Sequence, residues 1–189
     1  MTYNVQGFSW YDYPEAITNI LSNIKDESPD ILCIEEYYVR DLHRELVYKK
    51  LISMYPYHHE VIIKSKPPDH KFGLAIFSKI PFTNFHRIPF DILPTTSNGA
   101  YYVDFKTPND TFRLFDIHLQ SASLRPREYE LESNEGFGMK KVDVVRTGIE
   151  KLGRAFRKRS WQVGKVKEQV DKSPYPVILC GDFNDCALS

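Results

Sequence analysis

The stretch that decides the fold is VILCGDFN at residues 177–184, an apolar run that ends abruptly in glycine and polar residues. A continuous apolar run of this kind predicts a strand buried on both faces. The same arrangement occurs in TYNV at 2–5, ILCIEE at 31–36 and FDIHL at 115–119. Polar groups from distant parts of a chain meet at strand ends in sheet-based enzymes. The sequence therefore predicts an α/β fold with a site assembled from four strand ends.

Helices and strands alternate along the rest of the chain. Helices are predicted at 14–25, 40–54 and 139–170, and the last of these carries apolar residues at three- and four-residue steps that form one stripe. Further strands are predicted at 1–5, 57–64, 73–79, 99–106 and 111–120, with a hairpin turn at 107–110. Residues 121–141 are long for a structureless loop and are interpreted as mobile or functional.

Composition places the chain among globular domains. The 189 residues are 42% hydrophobic, with 25 Lys+Arg against 25 Asp+Glu. We expect one domain over residues 1–189, and the zero net charge argues against a protein that binds nucleic acid by bulk charge. No apolar run approaches the roughly 20 residues of a membrane span. The first residues do not have the pattern of a signal peptide, and the sequence does not identify the cellular compartment.

The three cysteines do not indicate a disulfide framework or a metal site. Cys33, Cys180 and Cys186 are odd in number and lack metal-type spacing, which argues against a disulfide scaffold or a zinc site. Cys33 and Cys180 are interpreted as small core residues.

Residues 139–172 hold eleven Lys or Arg against four Asp or Glu. This excess either contacts nucleic acid or anionic lipid headgroups or, as we favour, forms a solvated helix face.

The polar strand ends together resemble the endonuclease/exonuclease/phosphatase superfamily, which includes deoxyribonuclease I-like nucleases, sphingomyelinases and inositol-polyphosphate phosphatases. The resemblance rests on TYNV at 2–5, DILCIEE at 30–36, GLAIFSK at 73–79, IHL at 117–119 and GDFN at 181–184, in the order of the family. It implies a four-layer α/β/β/α sandwich of two mainly antiparallel or mixed sheets. It also implies metal-dependent hydrolysis of a phosphoester by in-line attack of an activated water.

The resemblance carries a role to each matching residue. Glu36 matches the glutamate that binds Mg²⁺, with Mn²⁺ as the alternative ion, and Asn4 matches the asparagine beside the metal and the phosphate. His118 matches the histidine that contacts the phosphate. Asp182 matches the aspartate that orients or activates water, and Asn184 matches the asparagine that holds the phosphate and the transition-state charge. Such groups neutralise the phosphate oxygens and donate hydrogen bonds as charge builds up.

The chain departs from the family pattern in three places. Glu35 stands where the family usually has glutamine, and Asp116 replaces the usual asparagine. The closing Ser-Asp-His motif does not occur before Ser189, so we expect the domain to be incomplete at its C-terminus, without its final strands. Because Met1 falls inside the first predicted strand, upstream residues are also expected to be missing. If these residues are the whole polypeptide, we expect little or no catalysis.

Two other functional classes stay open at this point. One is a catalytically inactive binding or scaffold module that keeps the fold. The other is a protein–protein module that self-associates through the apolar stripe at 142–170, although no protein partner is evident and a monomer is expected. For the hydrolase, the substrate is a nucleic acid, a phospholipid headgroup or a small phosphorylated metabolite.

Overall fold

Two four-stranded sheets form the framework of the computed structural model, which describes residues 1–9, 14–39, 41–66, 70–90, 97–122 and 139–185. The strands are β1 (Thr2–Asn4), β2 (Ile31–Val39), β3 (Tyr57–Lys66), β4 (His70–Ser78), β5 (Phe82–Ile88), β6 (Gly99–Lys106), β7 (Thr111–His118) and β8 (Val177–Asp182). The helices are α1 (Gln6–Ser9), α2 (Pro14–Glu27), α3 (Asp41–Met54) and α4 (Met139–Val170). The segment α1 is a single left-handed turn, since Gln6, Gly7 and Phe8 have φ values of 45°, 69° and 52°.

Both sheets combine parallel and antiparallel pairing. The first sheet has the order β1-β2-β4-β3 and the second the order β5-β6-β7-β8. In each, the strand at one edge, β1 or β8, runs parallel to its neighbour, and the other pairs are antiparallel. The predicted α/β fold with two mixed sheets is therefore confirmed.

Three apolar layers hold the sandwich together. Side chains of α2 and α3 pack on the outer face of the first sheet, where Ile24 and Leu51 are fully buried with Leu32 and Phe77. A second layer lies between the sheets. A third lies between the second sheet and α4, which contributes Val166. The layer order is therefore α/β/β/α, as the resemblance to the family implied.

Strand β2 shows why its apolar run is continuous. Leu32 and Ile34 lie in the layer under the helices, whereas Cys33 lies in the layer between the sheets. Successive side chains of a strand point to opposite faces. Because both faces of β2 are covered here, the positions of the run at 31–34 take apolar or small residues.

The buried face of helix α4 differs from the apolar stripe that the sequence predicted. Ala155, Arg159, Gln162 and Val166 are its buried positions, whereas stripe members such as Phe156 are about half exposed. The inward face therefore lies beside the stripe predicted at 142–170 and includes two polar residues. Position on the second sheet, rather than the apolar period alone, decides which face is buried. None of the described helices is long and apolar enough to cross a membrane.

A buried ion pair braces the second sheet. Asp104 and Arg113 face each other across β6 and β7, and Arg113 Nε and Nη2 donate to Asp104 Oδ1 and Oδ2 at 2.6 and 2.9 Å. Asn84 Nδ2 donates to the same carboxylate at 3.0 Å, and the guanidinium lies 4.0 Å from the centre of the Tyr102 ring. Burial raises the pKa of Asp104, but the hydrogen bonds from Arg113 and Asn84 outweigh it and leave that pKa lowered.

Replacing Asp104 by alanine leaves the buried charge of Arg113 without its partner in the sheet. We expect Asp104→Ala to lower the free energy of unfolding by about 3–5 kcal/mol, measured by urea denaturation at pH 7. Since the folded pKa of Asp104 is lowered, its contribution is complete above the unfolded pKa of about 3.9 and disappears as the pH falls through the folded pKa. The exposed Lys106 on the same strand supplies the control, and Lys106→Ala should have little effect.

Candidate functional site

The four polar strand ends meet where the two sheets approach each other. Asn4 ends β1 and Glu36 lies in β2 of the first sheet, while His118 and Asp182 end β7 and β8 of the second. His118 and Asp182 are direct neighbours in the β7–β8 register. Since both edge pairs are parallel, their carboxyl ends lie at the same side of each sheet. The sequence-predicted convergence of these residues is therefore present in the structure.

Asn4 joins the two sheets at this point. Its Nδ2 atom donates to Glu36 Oε1 at 3.2 Å and to Asp182 Oδ2 at 2.7 Å. Its Oδ1 atom accepts from the backbone N–H of Gln6 at 3.0 Å, which fixes the amide in this orientation. One nitrogen thus holds two carboxylates side by side. The distance between Glu36 Oε1 and Asp182 Oδ2 cannot exceed the summed lengths of these two hydrogen bonds.

His118 lies directly beside the two carboxylates. Its Nε2 atom is 3.7 Å from Glu36 Oε1 and 4.0 Å from Asp182 Oδ2, and its side chain is only 4% exposed. Burial lowers the pKa of His118, although the nearby Glu36 and Asp182 act in the opposite direction. Burial thus favours the uncharged form of the imidazole, and its Nε2 faces the carboxylates.

A bulge in β2 gives Glu36 its direction. The pairing of β2 with β4 is regular up to Ile34 opposite Ala75 and resumes at Tyr37 opposite Gly73, so two residues of β2 face one of β4. Glu36 has a φ of 52°, which a non-glycine residue adopts at a cost. Bulges of this kind re-aim side chains next to active sites. Here the bulge leaves Glu35 buried and directs Glu36 to Asn4.

The Gly-Asp-Phe-Asn stretch shapes the other side of the site. Asp182 Oδ1 accepts from the backbone N–H of Asn184 at 2.8 Å, so both carboxylate oxygens of Asp182 are held. Asn184 has a φ of 52°, and its Nδ2 donates to the Leu119 carbonyl at 2.9 Å. The side chain of Asn184 thus lies next to the strand end that carries His118 and is engaged with the backbone there.

Three residues that the sequence did not single out fix the segment after His118. Asn98 Nδ2 donates to the Leu119 carbonyl at 2.6 Å. Gln162 Oε1 accepts from the Gln120 backbone N–H, and Arg159 Nη1 donates to the Gln120 carbonyl. Arg159 also forms an ion pair of 3.2 Å with Asp185. The interpretation of 139–172 as a solvated face is therefore wrong for Arg159, and its inward position on α4 is not visible from charge counting.

The donor chemistry of the site fits a divalent cation. Two carboxylates, Glu36 and Asp182, are about three-quarters buried beside the His118 imidazole. Within the described residues, no Lys or Arg forms an ion pair with either. Oxygen-rich groups with uncompensated negative charge are the partners that a hard cation such as Mg²⁺ prefers. Asn4 presents its nitrogen to them, so its contribution in this orientation is to position the carboxylates.

Comparison with known proteins agrees with the fold and the motifs. A model of the endonuclease/exonuclease/phosphatase family matches residues 1–189, so the chain belongs to this family. Among proteins of curated function, no sequence matches the chain at a significant level.

Solved structures show the same fold. Sphingomyelinase C from Streptomyces griseocarneus superposes with a TM-score of 0.68 at 18% identity, covering 100% of this chain and 64% of that one. A humanized D. rerio TDP2 gives 0.65 at 16% identity, with coverage of 99% and 66%. D. rerio TDP2 complexed with single strand DNA product gives 0.63 at 17% identity, with coverage of 98% and 60%. The chain thus spans about two thirds or less of the length of these proteins.

Gly181 provides a test of how tightly the site is built. Its φ is 132°, and a Cβ atom there would lie 2.0 Å from the Ile117 carbonyl oxygen. We expect Gly181→Ala to push β8 away from β7, to displace Asp182 from Asn4 and to destabilise the fold by more than 1 kcal/mol. Thermal denaturation measures the loss. Gly164 on α4 has no atom within 4 Å of its added Cβ. Gly164→Ala should therefore stabilise the chain by up to about 1 kcal/mol.

Proposed function

We propose that the protein hydrolyses a phosphoester with the help of a divalent cation, Mg²⁺ or alternatively Mn²⁺. The observation that supports this most directly is the Asn4 amide, which holds the Glu36 and Asp182 carboxylates together beside His118. Membership of the endonuclease/exonuclease/phosphatase family supports the reaction class.

Glu36 is the proposed metal ligand, with Asn4 and Asp182 beside it. The ion, when bound, offsets the negative charge of the phosphate and of the departing oxygen. Asn4 binds and orients both carboxylates, so it serves as metal ligand only if its amide turns. In the orientation found here it keeps Glu36 in a strained backbone conformation that faces the site.

Asp182 is the proposed group that orients water. Asn4 and the backbone N–H of Asn184 hold its two oxygens, so the carboxylate is fixed before substrate arrives. A fixed carboxylate accepts a proton from water or aligns the water for in-line attack. His118 and Asn184 donate to phosphate oxygens. The Asn184 amide nitrogen has two N–H groups, and its one bond to the Leu119 carbonyl leaves the other for the phosphate.

The residues of the site fit more than one class of phosphoester substrate. The similar solved structures include a sphingomyelinase C and a TDP2 complexed with single strand DNA product. A phosphodiester is common to both chemistries. We therefore take a phosphodiester as the reacting group and use the phosphodiester bis-p-nitrophenyl phosphate as a generic probe of the chemistry. A nucleic-acid substrate would show steep salt dependence of binding, which a headgroup or small metabolite would not.

The first experiment follows magnesium binding by thermal denaturation. Saturating Mg²⁺ should stabilise the wild-type chain by mass action, by about 2.7 kcal/mol at a hundredfold excess over Kd. Glu36→Gln keeps the size of the side chain but removes its charge, so the stabilisation should disappear. Asp30→Asn, at an exposed carboxylate away from the site, should retain it. Equal stabilisation of the Glu36→Gln variant would argue against Glu36 as the ligand.

The second experiment measures turnover of the phosphodiester probe with and without Mg²⁺. His118→Ala should lower the rate by on the order of 10²–10³, since it removes a donor to the developing charge. Glu150→Gln, on the exposed face of α4, serves as the control and should match wild type. Magnesium binding without any turnover agrees with the inactive scaffold module and also with the expectation that a chain without the closing Ser-Asp-His motif shows little or no catalysis. Turnover that survives in His118→Ala would contradict the assigned role.

A further inference from the structure

The apolar layer between the two sheets contains a cluster of metal-ligating side chains. Cys33 on β2 faces Asp116 on β7 and Cys180 on β8, and their Sγ and carboxylate oxygen atoms all lie within 4.8 Å of one another. Asp116 and Cys180 are direct neighbours in the β7–β8 register, whereas Cys33 comes from the other sheet. Cys33 is 1% exposed and Asp116 is fully buried.

Asp116 is a fully buried carboxyl group whose polar neighbours are the Tyr101 hydroxyl and the Glu35 carboxyl. Neither of these neighbours is aligned for a good hydrogen bond to its oxygens, so the carboxyl group is poorly compensated. Burying such groups without compensation costs several kcal/mol by general estimates. Burial, followed by the charges of Glu35 and Cys180, raises the pKa of Asp116 well above its usual range. The cluster therefore brings acidic groups together, and in the part of the chain that the structure describes no Lys or Arg forms an ion pair with Asp116.

We propose that Cys33, Asp116 and Cys180 bind a zinc ion that links the two sheets. Thiolates select zinc over magnesium, which prefers oxygen ligands. Around a tetrahedral zinc ion the donor atoms are about 3.5 Å apart, so the three side chains need to close by about an ångström. A fourth donor is needed, and Glu35, which interacts with Asp116, is the acidic side chain that can supply it.

This site is separate from the one proposed for Mg²⁺. Glu36 hydrogen-bonds to Asn4 at the strand ends, whereas Cys33 lies among the side chains between the sheets. The β2 bulge separates the two environments, since Glu35 is 1% exposed and the Glu36 side chain is 24% exposed. The zinc site therefore stabilises the sandwich and does not depend on whether the protein hydrolyses phosphoesters.

The burial of the cluster sets how zinc enters. With Cys33 and Asp116 closed off from solvent, the ion binds as the sheets come together or during their transient opening. Zinc binding to such a site contributes folding free energy directly.

The test is a titration of the whole chain, reduced and stripped of metal, with Zn²⁺ and Co²⁺ in an excess of Mg²⁺. We expect one zinc per chain and, with cobalt, the near-ultraviolet charge-transfer band that thiolate ligation produces. Cys33→Ser and Asp116→Asn, which preserve side-chain size, should each weaken zinc binding more than tenfold. Cys186→Ser and Glu36→Gln are the controls and should bind zinc as wild type does.

Three results would overturn the zinc site. These are the absence of a thiolate band in the cobalt-loaded wild type, unchanged zinc affinity in Asp116→Asn and Cys33→Ser, and a Cys33–Cys180 disulfide found by mass spectrometry in freshly isolated protein. The cobalt spectrum of the wild type decides the question even if a variant fails to fold. Loss of turnover in Glu36→Gln with unchanged zinc content would separate this site from the proposed hydrolysis.

Discussion

The structure depends on the close approach of two parallel strand pairs, one at the edge of each sheet. The β1–β2 pair brings Asn4 and Glu36 to one end of the first sheet, and the β7–β8 pair brings His118 and Asp182 to the facing end of the second. The Asn4 amide spans the gap with two hydrogen bonds. Without that approach neither the strand-end site nor the cluster around Asp116 exists, because each takes residues from both sheets.

Much of the fold was predictable because buried positions are occupied by apolar residues in patterns that the sequence shows. The run at 31–34 is apolar at every position and became a strand segment whose side chains at 32–34 are buried. The run at 177–180 also became a strand, but the prediction that it is buried on both faces was wrong, because β8 lies at the edge of its sheet and Ile178 and Leu179 are about half exposed. Helix α2 buries Ile17, Leu21 and Ile24 at the predicted spacing. The face of α4 was not predictable from its apolar period. Arg159 and Gln162 hydrogen-bond to the backbone after His118, so the face of α4 that carries them points inward, while Phe156 stays about half exposed.

The site was predictable in its members but not in its geometry. The motifs identified Asn4, Glu36, His118 and Asp182, and the structure brings these four together. The β2 bulge and the left-handed φ of Glu36 have no signature in a run of two glutamates. The cluster of Cys33, Asp116 and Cys180 was also invisible, since metal-binding motifs are recognised by short spacing and these residues come from three separate strands.

Parallel pairing at both edges also governs when the site forms during folding. A parallel pair cannot be closed by a hairpin and needs a crossover, which α2 provides for β1–β2 and α4 for β7–β8. The hydrogen bond from Asn4 to Asp182 then joins residues 178 positions apart. Contacts of such separation form late, because their loop-closure entropy must be overcome first. On the ribosome, Asn4 and Glu36 are therefore synthesised long before Asp182, and the two carboxylates come together only after β8 has emerged.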